Sequence, residues 1–103
     1  MTAYALGLAG ERAVRAVYNI GPMKLFIVFG RQRIPDGVTG SAISEVNNRA
    51  YQALTLQLRD YVEIAHREEL RFDLYLRSNT QVSGPLQQLI DHRVIHRKVI
   101  PGT

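Results

Sequence analysis

The chain has 103 residues, enough for one small domain around a single core, and it contains no cysteine. That excludes a disulfide framework and a thiolate metal site. Thirteen Lys and Arg against nine Asp and Glu leave a net charge of +4, with Lys24 and Lys98 the only lysines. A basic balance made of arginine suits a polyanionic partner, because the guanidinium grips phosphate in a bidentate manner. The longest apolar run, Leu25 to Phe29, is too short for a membrane span. No basic segment followed by an apolar one marks a signal peptide, although a fragment cut from a longer secreted protein would read the same.

Residues 3–18 read as a helix with Leu6, Ala9, Ala13 and Val17 as its apolar stripe. Glu11 and Arg15 stand at i and i+4, a surface pair. Asn19 to Pro22 end the helix. Residues 24–30 read as a strand, apolar on both faces and so expected at the centre of a sheet. Arg31 to Ile34 continue it or form a short second strand, with Arg31 and Arg33 on one side. Pro35 lacks an N–H and favours a ladder end. Gly37 and Gly40 bracket a turn, and residues 41–47 are the next strand.

Alternation along that strand puts Ile43, Glu45 and Asn47 on one face and Ala42, Ser44 and Val46 on the other. A hairpin folds Asp36 back toward it. Two carboxylates meeting there would suit a hard divalent cation such as Mg²⁺. A carboxylate inside a strand is unfavourable for the strand itself, so Glu45 calls for a reason.

Residues 49–69 read as the longest helix, with Leu54, Leu58, Tyr61 and Ala65 facing the core, Ile64 beside them and Gln57 at the polar edge. Residues 71–77 are a strand with Phe72, Leu74 and Leu76 inward. A polar loop follows. Gly84-Pro85 starts a short helix that buries Leu86, Leu89 and Ile90, with Pro where its missing N–H costs nothing. Residues 94–100 are the last strand. The order α-β-β-β-α-β-α-β, with right-handed parallel crossovers, gives an α/β fold: a mixed central sheet flanked by helices.

The pairing of Pro35-Asp36 with Glu45-Val46-Asn47 resembles the PD-(D/E)xK signature of restriction-endonuclease-like enzymes. Gln57-Leu58-Arg59-Asp60-Tyr61 resembles the QxxxY element on the helix that follows it in some of them. More widely, Gly10-Glu11, Arg33-Ile34-Pro35-Asp36-Gly37, Ile43-Ser44-Glu45-Val46, Phe72-Asp73-Leu74-Tyr75 and Ser83-Gly84-Pro85-Leu86 resemble restriction-endonuclease-fold toxin domains. Those are the C-terminal domains of bacterial polymorphic toxins, including Rhs-type effectors.

The resemblance implies an αβββαβ core over residues 1–103, as the end of a larger secreted effector delivered into the cytoplasm of a rival bacterium. It implies a DNase paired with an immunity protein, acidic if it covers a basic cleft. Asp36 and Glu45 would hold Mg²⁺ or Mn²⁺, Glu11 would be an acidic helper, and Gln57 and Tyr61 would orient the site. Arg31, Arg33, Arg49 and Arg59 are the candidates to contact DNA phosphates.

The chain departs from the signature at Asn47, where the pattern has Lys. Asn carries no charge to offset the one developing on phosphate. Either this is a natural variant whose cation comes from elsewhere, with Arg49 and Arg59 near in sequence, or a Lys was exchanged so that a toxic domain could be expressed. Two further readings use the same residues: a nuclease fold that has lost catalysis and only binds, and a repair or junction nuclease. Plainer readings stand beside them. Asp36 also suits a turn, Glu45 an exposed edge, Gln57 and Tyr61 a surface amide and a core aromatic, and Glu11 a helix-surface charge. His66, His92 and His96 have no ligand spacing and read as solvated.

Overall fold

The computed structural model describes residues 1–103. Helix α1 spans Ala3–Arg15 and starts where the Thr2 hydroxyl accepts the Ala5 N–H at 3.1 Å. It ends one turn earlier than its periodicity suggests. Its buried residues are Gly10 and Val14, while Ala9 and Val17 of the expected stripe face solvent. The cause is Gly10: a Cβ there would lie 2.8 Å from Asn48 Cβ. The helix therefore seats on its glycine, which a search for apolar side chains overlooks.

Strand β1 (Phe26–Val28) and strand β2 (Arg31–Arg33) form an antiparallel hairpin of their own. This corrects the expectation of a central strand. Phe26 and Val28 point into the core, but Ile27 is 52% exposed, so only one face is covered. The turn is Phe29-Gly30, with φ of 48° and 77°. Two left-handed residues are what a two-residue hairpin of this twist requires.

After Pro35 the chain makes strand β3 (Gly37–Val38), antiparallel to strand β4 (Ala42–Asn47). Gly37 thus belongs to a strand, and the turn is confined to Thr39–Ser41. A Cβ on Gly37 would collide with the Ile20 carbonyl, which explains glycine there. Strand β4 pairs in parallel with strand β6 (Arg71–Leu76), and β6 with strand β8 (His96–Val99). The sheet order β3-β4-β6-β8 is mixed, as expected.

Strand β5 (Tyr51–Gln52) pairs in parallel with strand β7 (Gln81–Val82), so the segment 49–55 is not helical. Helix α2 is Leu56–Glu68, capped by the Thr55 hydroxyl on Leu58 N–H at 3.2 Å. Gln52 explains the late start. It is 1% exposed and anchors the chain to Asn47, holding the preceding residues extended. Helix α3 (Gly84–Asp91) begins at a Ser83 cap with Pro85 in its first turn.

Two cores sandwich the sheet. On the α2 side Ile43, Leu58, Tyr61, Ile64, Phe72, Leu74 and Leu76 pack with Phe26 and Val28 of the hairpin. On the α1 side Val14, Ile20, Val46, Tyr75 and Ile100 form a smaller cluster. This alternation follows the period of two read from β4 and β6. No helix is long and apolar enough to cross a membrane.

Candidate active site

The β3–β4 register pairs Gly37 with Ser44, and the next pair outward is Asp36 and Glu45. The hairpin fold-back expected for Asp36 is present. Each strand's backbone fixes the other's carboxylate. The Val46 N–H donates to Asp36 Oδ2 at 2.8 Å, and the Asp36 N–H donates to Glu45 Oε1 at 3.2 Å. The two acids border a shallow cleft of about 250 Å³ between α1 and β4, lined also by Tyr4, Gly7, Leu8, Glu11 and Val46. They therefore converge from the two strands, and Glu45 is 7% exposed rather than an edge charge.

The electrostatics follow from that placement. Burial raises the Glu45 carboxyl to about 9, and the charges of Asp36 and Glu11 act in the same direction. Asp36 is raised too, mainly by burial; the Val46 N–H and Arg15 act against the shift. Like charges forced together in a partly dry site favour a proton or a cation between them.

The donor set fits a divalent cation. Its atoms are hard carboxylate oxygens bordering one cleft, and Mg²⁺ needs only one or two carboxylates when water and substrate phosphate fill its remaining positions. No third His, Cys, Asp or Glu joins closely enough to make a three-side-chain metal cage. Glu11 faces the cleft but is held by Arg15 at 3.1 Å.

Arg15 is the residue that sequence reasoning missed. It donates to the Asp36 carbonyl at 2.6 Å and to the Gly21 carbonyl at 3.0 Å while pairing with Glu11. It ties α1 to the strand that carries Asp36. Its i+4 spacing from Glu11 was the available signal, but the long reach across to Asp36 was not legible.

Asn47 is half-buried and its amide donates to Gln52 Oε1 at 3.0 Å. At the position of the motif Lys it holds β5 to β4. Gln57 and Tyr61 do interact: the Gln57 amide donates to the Tyr61 hydroxyl at 3.1 Å. Burial raises the Tyr61 phenol well above its ordinary range, and the nearby Glu45 charge adds to this. Tyr61 is fully buried in the core on the α2 side, and neither it nor Gln57 lines the carboxylate cleft.

Arg31 and Arg33 converge on Asp60. Arg31 binds it through two nitrogens at 2.8 and 2.7 Å, and Arg33 Nε adds a third contact at 2.8 Å. The two arginines pull the Asp60 carboxyl down to about 2, with Arg31 the larger contributor. They pin the hairpin to α2. Arg49 and Arg59 are exposed and belong to no ion pair.

A strand-end Asp and a mid-strand Glu clasped across the edge of a mixed α/β sheet, with a Gln–Tyr pair on the next helix, define a nuclease-type fold. The chain belongs to the family described as restriction endonuclease fold toxin 7, whose family model it matches over residues 7–86. That span holds every candidate residue named above and places the protein among toxins with a restriction endonuclease fold. No curated protein and no solved structure matches the chain.

Proposed function

We propose that this protein is a divalent-metal-dependent DNA endonuclease acting as an interbacterial toxin. The observation that carries the reading is the reciprocal clasp of Asp36 and Glu45, each held by the other strand's backbone N–H. A buried pair of raised carboxyls on a strand edge costs the fold stability, and this supports reading it as a cation grip.

Asp36 and Glu45 would hold Mg²⁺ or Mn²⁺ beside the scissile phosphate. When bound, the cation supplies Lewis-acid polarisation of the phosphoryl oxygen and a lowered pKa for water. The chain's own groups position the rest. Arg15 fixes the Asp36 backbone and restrains Glu11. Tyr61, braced by Gln57, packs with Ile43 in the core beneath β4. Arg49 and Arg59 are free to contact phosphates, whereas Arg31 and Arg33 contribute their field from a place fixed by Asp60.

Incubation with supercoiled plasmid and Mg²⁺ tests this. Nicking and linearisation are expected, abolished by chelation. Asp36→Asn and Glu45→Gln, which keep shape, should each reduce cleavage by about 10²-fold or more, the scale of losing one preorganised electrostatic group. Cleavage unaffected by chelation and by both changes overturns the reading; cleavage of RNA alone moves the substrate class. A second reading draws on Asn47. With its amide committed to Gln52 it supplies no charge, and a fold that binds DNA without cutting it would show retention of plasmid and no nicks.

The reading extends to delivery as a secreted effector into a target bacterium, and to neutralisation by an acidic immunity protein. The net charge of +4 supports an acidic inhibitor. Its complex should weaken as salt rises.

A further inference from the structure

A second cleft, of about 230 Å³, opens on the sheet face away from Glu45, where the segment following α1 borders β4, β6 and β8. Its floor is Ser44, Asp73 and Tyr75, which are 2%, 3% and 4% exposed. The register sets Ser44 beside Asp73 across β4 and β6, and Tyr75 beside Lys98 across β6 and β8.

Asp73 is satisfied. Arg71 covers it through two nitrogens at 2.7 and 2.9 Å. The hydroxyls of Ser44 and Tyr75 make no hydrogen bond to the chain, yet the molecule contains no orphaned, fully enclosed polar side-chain atom. Both oxygens therefore keep some access to solvent, and both residues line the cleft. Two side chains more than nine-tenths buried thus bring hydroxyls to the cleft with no hydrogen bond to the chain.

The rim is cationic. Lys98 is exposed and belongs to no ion pair, and the Arg71 side chain is 43% exposed. With Asp73 neutralised by Arg71, one positive charge remains. Tyr18, 47% exposed and 5.7 Å from the Tyr75 ring, forms an aromatic lip. Hydroxyl donors beneath an unpaired lysine, with Arg71 cancelling the Asp73 charge beside them, suit a phosphate. An aromatic face beside them suits a planar ring, and the space exceeds what a bare phosphate fills.

We propose that this cleft binds a nucleotide phosphate monoester, with the phosphate on Ser44, Tyr75 and Lys98 and the base against Tyr18. The ligand is either a free mononucleotide or the 5′-phosphorylated end of a strand. The site lies apart from the carboxylate pair and does not depend on hydrolysis.

Calorimetric titration in the presence of chelator tests it, using dAMP, deoxyadenosine, inorganic phosphate and tetranucleotides with and without a 5′-phosphate. dAMP should bind at least about tenfold more tightly than deoxyadenosine or phosphate. Lys98→Ala and Tyr75→Phe, conservative for the fold, should each weaken it by about fivefold or more. Glu45→Gln should leave it unchanged, which separates this cleft from the nuclease site. Binding of the 5′-phosphorylated tetranucleotide as tightly as dAMP assigns the ligand to strand ends; rejection of it assigns the free nucleotide. The proposal is overturned if dAMP and deoxyadenosine bind alike, if dAMP does not bind, if Lys98→Ala and Tyr75→Phe change nothing, or if Glu45→Gln abolishes the binding.

Discussion

Asn47 shows how one side chain is pulled between two duties. Replacing it with Lys restores the charge of the motif, and cleavage per folded molecule should rise. The same change removes the donor to Gln52, which is 1% exposed, and leaves a buried carbonyl oxygen without its partner. That costs about 1–3 kcal/mol. Asn47→Lys is therefore expected to cut plasmid faster while melting earlier, and a rise in both rate and Tm would contradict the assignment of Asn47 to β5. Phe29 offers a cleaner case. It is 74% exposed at a φ of 48°, a conformation that bulky residues avoid. Phe29→Gly should stabilise the protein by about 1 kcal/mol through relief of that strain, measured by denaturant unfolding. Sequence alone could place Asp36 and Glu45, because a nine-residue separation across one tight turn is a local matter. It could not place Arg15 or Asp60, whose partners lie 21 to 29 residues away.

Among the elements, the hairpin departs from its sequence pattern for a physical reason. An apolar run with no alternation signals a strand covered on both sides, but here Leu25, Ile27 and Phe29 remain uncovered. The covered side is fastened by Asp60. Its carboxyl titrates near 2 in the fold against 3.8 when free, so the ion pairs contribute stability that is present above 3.8 and lost as pH falls through about 2. The stability difference between the parent and Asp60→Asn should therefore shrink across that window, read by urea unfolding at stepped pH. Helix α1 makes a second prediction. Gly10→Ala puts a methyl 2.8 Å from Asn48 Cβ. The helix must lift from β4, taking Glu11 with it, at a cost of about 1–3 kcal/mol. Cleavage should fall even though no cleft residue has changed chemically.

Over the whole molecule, the three helices, the longer strands and the placing of helices on the faces of a mixed sheet were legible, because periods of 2 and 3.6 survive in β4, β6 and α2, whereas the two-residue strands β3, β5 and β7 were not. The separation into a main sheet and two small ribbons was not, since pairing partners such as Tyr51 and Gln81 carry no distinguishing pattern. The buried acid pair also gives the molecule a pH signature. Glu45 binds its proton up to about 9 in the fold but only to 4.5 when free. Metal-free protein should then lose stability as pH rises from 4.5 toward 9, since only the folded state keeps the proton. Mg²⁺ should offset the loss at alkaline pH by occupying the deprotonated site, and Glu45→Gln should flatten the profile. A parent profile as flat as the variant's would remove Glu45 from the interior.

The crossed grip of the two acids has a last consequence. Asp36 is held by an amide of β4, and Glu45 by the amide of Asp36 itself, so neither acid is in place until the two strands have zipped together. A nascent or stretched chain carries the letters of the active centre without its chemistry. Any agent that parts this short edge disarms the protein without touching a single acid.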